Sequence, residues 1–206
     1  MYIPKQFEVT DPKVLSAVIR EFSFASVITA DGGRPFATHL PILLEGEGDD
    51  ARMVGHMARA NPQWRHFANE GETLMVFEGP HGYISPAWYE TELAVPTWNY
   101  VAVHAYGRPV LIDDGERLQA LVDCTVGHYE SGRDEPWKAE LSADFKDGLL
   151  QAIVGFEMPI NRMEGKFKLG QNRPEADIRK TVEALRKSPR ESDHELADWM
   201  ERHAPN

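Results

Sequence analysis

Apolar residues recur along this chain at two different spacings, and the change of spacing predicts helices and strands. After the pair Asp11-Pro12, apolar side chains return every three or four positions, which predicts an amphipathic helix with a capped start. Residues 24–29 and 35–44 form two apolar runs on either side of the turn Asp31-Gly32-Gly33. Two such runs around a short glycine turn predict a β-hairpin.

The same reasoning predicts further strands and helices downstream. Strands are predicted over four segments: 52–57, 74–77, 98–112 and 154–169. Helices are predicted from Pro62, from Asp113 or Asp114, and over 142–152, 174–187 and 195–203. Gly107 and Pro109 indicate a bulge or edge in one strand, Pro159 an interruption in another, and residues 79–96 a long loop. This order favours an α+β fold, a mostly antiparallel barrel with peripheral helices.

The composition is that of a globular domain without a membrane span. Of the 206 residues 42% are hydrophobic, and no apolar run approaches the roughly 18 residues that a span needs. The first six residues lack the apolar core of an export signal. The one cysteine, Cys124, excludes an internal disulfide and a cysteine-based zinc site, and its place on a predicted helix indicates a buried residue. We therefore expect a cytoplasmic protein.

The charge makes direct DNA binding doubtful. A net charge of −11 opposes a phosphate backbone, and no helix-turn-helix is recognisable. Residues 161–190 are the exception, with nine Lys or Arg against four acidic residues. A local basic segment in an acidic chain suits a compact anionic ligand better than a long nucleic acid. For residues 179–190 the alternative is a solvated helix face.

The segment His56-Met57-Ala58-Arg59-Ala60-Asn61-Pro62 combines groups that bind phosphate. A predicted strand ends here and a predicted helix begins at Pro62, so free backbone N–H groups are expected at the turn. Arg59 adds a guanidinium and Asn61 a helix cap. The alternative is a capped helix beside an exposed arginine.

A second segment, residues 166–174, combines cations with amide side chains. Strand alternation places Lys166 and Lys168 on one face, and Gln171 and Asn172 follow where the next helix begins. The pyrimidine edge of a flavin needs such donors and acceptors, and its reduced N1 favours a nearby positive charge. A solvated strand end explains the same composition.

Two strand segments mix aromatic side chains with small polar ones. The first, residues 35–41, contains Thr38, His39 and Leu40, and the second, residues 96–100, contains Trp98 and Asn99. Such stretches provide the flat apolar wall and the edge donors that an isoalloxazine ring requires. Taken singly, each of these residues is also an ordinary core or surface residue.

Other catalytic patterns are missing from the sequence. The eight histidines show no metal-ligand spacing, and no metal site is expected. The chain has neither a glycine-rich nucleotide loop nor a Gly-x-Ser-x-Gly elbow.

Six ordered motifs resemble those of the PaiB family of FMN-binding negative transcriptional regulators. They begin at Tyr2, His39, His56, Gly82, Val95 and Lys166, and run as YIP, HLP, HMARANPQW, GYISPAWY, VPTWNY and KFKLGQNR. One departure is Gly170, where the resemblance implies a serine in many relatives.

The resemblance implies the FMN-binding split barrel, a fold shared with pyridoxamine 5′-phosphate oxidase and flavin reductases. It implies FMN as cofactor and a homodimer with two flavin sites across the interface. We expect this domain over residues 1–190 and a C-terminal helical tail over 191–206. The candidate cofactor-binding residues are Thr38, His39, Leu40, His56, Arg59, Asn61, Trp98, Asn99, Lys168, Gln171 and Asn172.

Three functions stay open from the sequence. The first is a PaiB-type regulator that binds FMN as a homodimer and acts as a flavin or redox sensor. The second is an FMN-dependent oxidoreductase, like a flavin reductase or pyridoxamine 5′-phosphate oxidase, with residues 79–96 as a lid over the substrate. The third is a haem-binding or haem-degrading split barrel.

Overall fold

A computed structural model describes residues 1–69, 71–138 and 141–203. The strands are β1 (Glu8–Val9), β2 (Phe24–Asp31), β3 (Arg34–Pro41), β4 (Leu43–Glu45), β5 (Arg52–Ala58), β6 (Thr73–Ile84), β7 (Thr97–Gly107), β8 (Val110–Ile112) and β9 (Ile153–Lys168). The α-helices are α1 (Pro12–Glu21), α2 (Gly115–Glu130), α3 (Ala143–Gln151), α4 (Glu175–Arg186) and α5 (Glu191–Arg202). Short 3₁₀ helices lie at Lys5–Phe7, Gly48–Asp50, Pro62–Ala68 and Pro86–Trp88.

The strands hydrogen-bond in the order β3-β2-β6-β7-β9-β5-β4, and β1 and β8 also pair with β9. The registers of β1, β2, β3, β4, β5 and β8 with their partners are antiparallel. The hairpin of β2 and β3 pairs Phe24 with Pro41 and Asp31 with Arg34, as the glycine turn between them predicts. The predicted α+β split barrel, mostly antiparallel with peripheral helices, is confirmed.

The chain divides into two compact units. Unit 1 contains three segments, Met1–Val18, Phe77–His104 and Met163–Asn206. Unit 2 contains the other two, Ile19–Val76 and Ala105–Arg162.

In unit 2, helix α2 packs on one face of β4 and β5. Leu43 and Val54 from the strands and Leu118 and Leu121 from the helix form a buried apolar cluster. Asp114 caps α2 by accepting a hydrogen bond from the Arg117 amide, so the helix begins where the sequence predicted. An apolar contact and a local cap together hold the helix on the strands.

A buried glutamine ties the first hairpin of unit 2 to the 3₁₀ helix Pro62–Ala68. Gln63 has no exposed surface, and the two N–H groups of its side-chain amide are shared among three acceptors, the carbonyls of Val27 and Phe36 and the hydroxyl of Thr29. Buried polar groups are retained where they are hydrogen-bonded, so Gln63 holds this segment across the hairpin.

In unit 1, helices α4 and α5 pack on each other and on the end of β9. Phe167 of β9 meets Trp199 edge-on at 5.5 Å, and His203 stacks on Trp199 at 5.1 Å. Arg186 pairs with Asp198 and Glu201 on the solvent side. Residues 204–206 of the predicted tail 191–206 lie outside the described residues, and the division at residue 190 stays a prediction.

Three local predictions are wrong. Residues 79–84 belong to β6, whose alternation of buried and exposed positions shifts by one residue at the consecutive buried pair Gly79 and Pro80. Pro159 does not interrupt β9, where it pairs with Arg52. Cys124 is exposed, because α2 turns a neighbouring face toward the core.

The strand predicted over 98–112 is two strands, β7 and β8. Gly107 ends β7 where a Cβ would collide with the carbonyl of Pro159, so glycine permits this close approach. None of the helices within the described ranges is long and apolar enough to cross a membrane.

Candidate functional site

Unit 2 brings together three of the predicted cofactor-binding residues at the end of β5. The Asn61 side-chain amide donates to the Thr38 hydroxyl at 2.9 Å, which joins the turn after β5 to β3. Arg59 is exposed, and its guanidinium donates to the carbonyls of Gln151 and Ile153, both at 2.8 Å. Two of its five N–H groups are used in these bonds, so the others can reach an anion.

The backbone amides of this turn are less available than the sequence predicted. The Arg59 amide donates to Ala152, the Asn61 amide to Ala58, and the Gln63 amide to the Asn61 side chain. The expectation of free N–H groups is therefore wrong for these three amides. Since residues 62–68 form a short 3₁₀ helix, side chains rather than a helix terminus carry the anion-binding capacity here.

Two further predicted residues lie on β3 and differ in exposure. His39 is exposed, and its Nδ1 forms a hydrogen bond of 3.1 Å with the Ser26 hydroxyl. Its ring stacks on the exposed ring of Phe24. Leu40 is buried in the core, with 9% of its surface exposed. His39 can therefore contact a ligand directly, whereas Leu40 supports the strand from behind.

His56 lies on the face of the sheet that helices α2 and α3 cover, and it lines a pocket with residues of both helices. It pairs with Gly155 across β5 and β9, and a Cβ at Gly155 would lie 2.7 Å from Leu118 of α2. Directly opposed residues share a face of the sheet, so His56 faces the helices. Burial lowers the pKa of His56, which keeps its imidazole neutral at neutral pH.

Unit 1 places Lys168 at the end of β9 with its ammonium group held from two sides. Its Nζ donates to the Thr97 hydroxyl and to the Trp98 carbonyl, both at 2.5 Å. Burial lowers the pKa of Lys168, and the charges of Lys166 and Arg173 lower it further. A cation among cations gains most from an anionic partner, and one N–H of Lys168 remains to bind it.

Exposed aromatic rings lie beside this cation in unit 1. Trp98 is 54% exposed and Tyr83 is 46% exposed, and their rings meet edge-on at 6.3 Å. His81 lies 6.4 Å from the Trp98 ring. These rings provide the flat apolar surface that a planar cofactor stacks on.

The remaining predicted residues of unit 1 have structural roles or stay open. Gln171 donates to the Phe167 carbonyl and accepts from the Leu169 amide, so its side chain closes the end of β9. Asn99 is 3% exposed and lies 3.5 Å from the Met200 sulfur of α5. Asn172 is exposed and free to contact a ligand.

Gly170, the departure from the family motif, has a positive φ of 88°. Glycine adopts this conformation without strain, whereas serine would be strained there. Glycine at this position therefore leaves the turn that carries Gln171 and Asn172 without backbone strain.

Sequence reasoning missed Asp177, which holds the segment after β6. Its buried carboxylate accepts hydrogen bonds from the amides of Glu90 and Thr91 and from the Thr91 hydroxyl. Burial opposes ionisation, but these hydrogen bonds and the charge of Arg173 outweigh it and lower the pKa of Asp177. An acidic residue in the first turn of a helix is common, so its sequence position carried no specific signal.

Each unit thus offers a cation, exposed donors and aromatic or polar neighbours, a donor set that suits an anionic, planar cofactor. Among the described residues there is no group of His, Cys, Asp and Glu that could hold a metal ion. Fold and chemistry together define the class of split-barrel flavoproteins.

Comparison with known sequences identifies the family. Residues 1–162 match the family described as "Putative FMN-binding domain", and the chain belongs to this family. Its cofactor is FMN.

The chain is also 39% identical over 203 residues to "Protease synthase and sporulation protein PAI 2" of Bacillus subtilis, covering 98% of this chain and 97% of that protein. The resemblance to the PaiB family is confirmed.

Solved structures support the fold. A flavocytochrome of Azotobacter vinelandii matches with a TM-score of 0.61 and 18% identity, over 81% of this chain and 72% of that one. An FAD- and haem-binding protein of Mycobacterium smegmatis matches with a TM-score of 0.60 and 16% identity, over 78% and 73%. At this identity the likeness extends to the fold alone.

Proposed function

We propose that this FMN-binding protein is a PaiB-type regulator that senses the redox state of its flavin and works as a cytoplasmic homodimer. The observation that carries the sensor role is Lys168, a cation with a lowered pKa beside Lys166 and Arg173. Bound FMN supplies reversible electron transfer, and reduction adds negative charge at its N1 edge. A cation destabilised by its neighbours responds strongly to that added charge.

In the proposed homodimer the two candidate segments receive separate roles in flavin binding and can come from different protomers. Arg59, with Asn61 and Thr38, offers N–H and O–H donors for the flavin phosphate. Lys168, Trp98 and Asn172 offer a cation, an aromatic surface and an amide for the ring. The family match ends at residue 162, so the role of Lys168 rests on its own surroundings.

One experiment tests binding and sensing together. The purified protein is expected to show the two-band absorption of oxidised flavin, and mass spectrometry of the released cofactor is expected to identify FMN. Hydrogen exchange over residues 166–173 is then compared between the oxidised and the chemically reduced protein. We expect the exchange rates of this segment to differ between the two states. Identical exchange would contradict a sensor.

Nicotinamide turnover separates the sensor from the oxidoreductase alternative. A sensor is expected to oxidise NADH or NADPH no faster than free FMN at the same concentration. Steady turnover by the loaded protein, well above that of free FMN, would favour the enzyme. A Soret band in place of the flavin bands would favour the haem alternative, which the names of the two structural neighbours suggest for those proteins.

The homodimer is supported by exposed apolar side chains in unit 1. Tyr2, Leu93 and Val95 are 83%, 92% and 69% exposed, in addition to Tyr83 and Trp98. Exposed apolar side chains are typical of an interface where they lie together, as the rings of Tyr83 and Trp98 do. Sedimentation equilibrium with FMN present is expected to give twice the chain mass of 23.3 kDa, and a monomer at micromolar concentration would contradict the proposal.

A further inference from the structure

Unit 2 contains a pocket between helices α2 and α3 that the flavin proposal does not use. Its volume is about 240 Å³, and its wall is formed mainly by Val122, Val126, Trp137, Leu149, Leu150 and His56. We call this cavity the α2–α3 pocket. It is smaller than the roughly 300–1,000 Å³ typical of sites for drug-sized ligands, so its occupant is smaller than FMN.

The pocket has a mostly apolar wall because of how the two helices pack on the strands. Val122 and Val126 are one turn apart on α2 and therefore share a face. Leu150 and Ile153 pack against the apolar cluster of α2, β4 and β5. A cavity of about 150 Å³ with such a wall is large enough for benzene, so 240 Å³ accommodates a larger, fused aromatic ring.

One residue of the wall, His56, has a ring nitrogen without a hydrogen-bond partner among the described residues. His56 Nδ1 is buried, and within the described part of the chain it makes no hydrogen bond. The imidazole is neutral, because burial lowers its pKa. In the tautomer that carries the proton on Nε2, Nδ1 is an acceptor to which none of the described groups donates. A buried polar atom without a partner is unfavourable, and a ligand N–H would satisfy it.

The charged groups that line the pocket have opposite signs. Lys146 of α3 and Asp123 of α2 both line it, and Asp123 accepts a hydrogen bond from Gln119 at 2.8 Å. One positive and one negative side chain favour neither an anion nor a cation. The ligand that suits these surroundings is neutral.

We propose that the α2–α3 pocket binds a small, neutral, fused aromatic compound of the indole type, whose single N–H donates to His56 Nδ1. The hydrophobic surface of the ring supplies most of the affinity, and the N–H supplies the orientation. The proposal is independent of the flavin proposal, since it requires neither Arg59 nor Lys168.

The test measures binding of indole to the full-length, FMN-loaded protein by ligand-observed NMR. Benzofuran has the same ring shape with oxygen in place of the N–H, and serves as the matched ligand. We expect indole to bind saturably and at least fivefold more tightly than benzofuran. In His56→Leu the preference is expected to vanish, because the acceptor is gone.

Filling the pocket tests its location. Val122→Trp and Val126→Trp are each expected to weaken indole binding at least tenfold. The result counts for a variant that retains the wild-type melting temperature and FMN content. Val110→Trp is the matched control, since Val110 is 59% exposed on β8 and lies outside the pocket. The proposal is overturned by non-saturable indole binding, by wild-type affinity in the folded filling variants, or by equal affinity for indole and benzofuran.

Discussion

The two cations proposed for flavin binding are held in opposite ways. Arg59 donates to the carbonyls of Gln151 and Ile153, so it already stabilises the fold of unit 2. Lys168 also donates to two oxygens, but Lys166 and Arg173 repel its charge and burial disfavours it. Arg59 therefore stabilises the chain without a ligand, whereas the charge of Lys168 is stabilised by a bound anion. Substitution of Arg59 and of Lys168 in turn should show how far each side chain stabilises the fold and how far it binds FMN.

The largest expected effect is on FMN affinity in Lys168→Met. This substitution keeps most of the apolar stem and removes the charge, so we expect FMN to bind about 10- to 100-fold more weakly, the equivalent of about 1.5–3 kcal/mol. The melting temperature of the flavin-free protein is expected to fall less than in Arg59→Ala, because removal of the unfavourable charge offsets the loss of the hydrogen bonds to Thr97 and Trp98. Fluorescence titration and thermal melts measure the two quantities.

Lys13→Met is the matched control for this variant. Lys13 is exposed on α1, and its side chain belongs to neither candidate segment. Its FMN affinity is expected to equal that of wild type. Wild-type affinity in Lys168→Met as well would remove Lys168 from the site.

Arg59→Ala is expected to affect both quantities. FMN affinity should fall about tenfold through loss of a charge-assisted contact. The flavin-free protein should also melt about 3–6 °C lower, because two partly exposed hydrogen bonds worth about 1–2 kcal/mol together are lost. Arg65→Ala is the matched control, because it also replaces an arginine by alanine. The Arg65 guanidinium lies over the Trp64 ring. If Arg59→Ala has a lower melting temperature but wild-type FMN affinity, Arg59 stabilises the fold and does not bind FMN.

The pH dependence of FMN affinity distinguishes the two cations again. An ammonium must be protonated to attract the flavin, and the pKa of Lys168 lies below the ordinary 10.5. Affinity should therefore fall as the pH rises through that lowered pKa, before an ordinary lysine would lose its proton. In Lys168→Arg this fall should disappear, because a guanidinium stays charged, and the variant also corrects for ionisation of the flavin itself. Identical profiles would refute the assignment.

The smallest expected effect is on DNA. The net charge of −11 opposes the phosphate backbone, and the proposed roles of Arg59 and Lys168 leave fewer cations for it. A mobility-shift assay at about 150 mM salt, with promoter and competitor DNA, is expected to show no sequence-selective binding below about 10⁻⁶ M, the tight end of ordinary non-specific binding. Selective sub-micromolar binding would restore a direct repressor.

Local signals in the sequence predicted much of the fold. The cap at Asp114 and the glycine turn after β2 depend on neighbouring residues only, and both are where they were predicted. Residues 79–84 were missed because Gly and Pro usually end a strand, whereas here Gly79, Pro80 and Gly82 are buried within β6. Caps and turns can be predicted from the sequence when no contact with a distant residue changes them.

The candidate site depends on distant partners and was only partly predictable. The residue types at Arg59 and Lys168 indicated anion binding, but the partner of Lys168, Thr97, is 71 residues away in the chain. The orientation of His56 follows from its register with Gly155, which no local pattern encodes. Likewise, the burial of Asn99 against Met200 requires α5 to be in place.

The hydrogen bonds that Arg59 donates to two backbone carbonyls have a consequence for regulation. Its carbonyl partners, Gln151 and Ile153, form the junction between α3 and β9, and Ile153 also lines the α2–α3 pocket. An indole-type compound that shifts this junction would alter how the guanidinium meets the flavin phosphate. Thermodynamic linkage makes such an allosteric coupling reciprocal, so FMN must change the affinity for the aromatic compound by the same factor. The regulator would then integrate two chemical inputs within one unit.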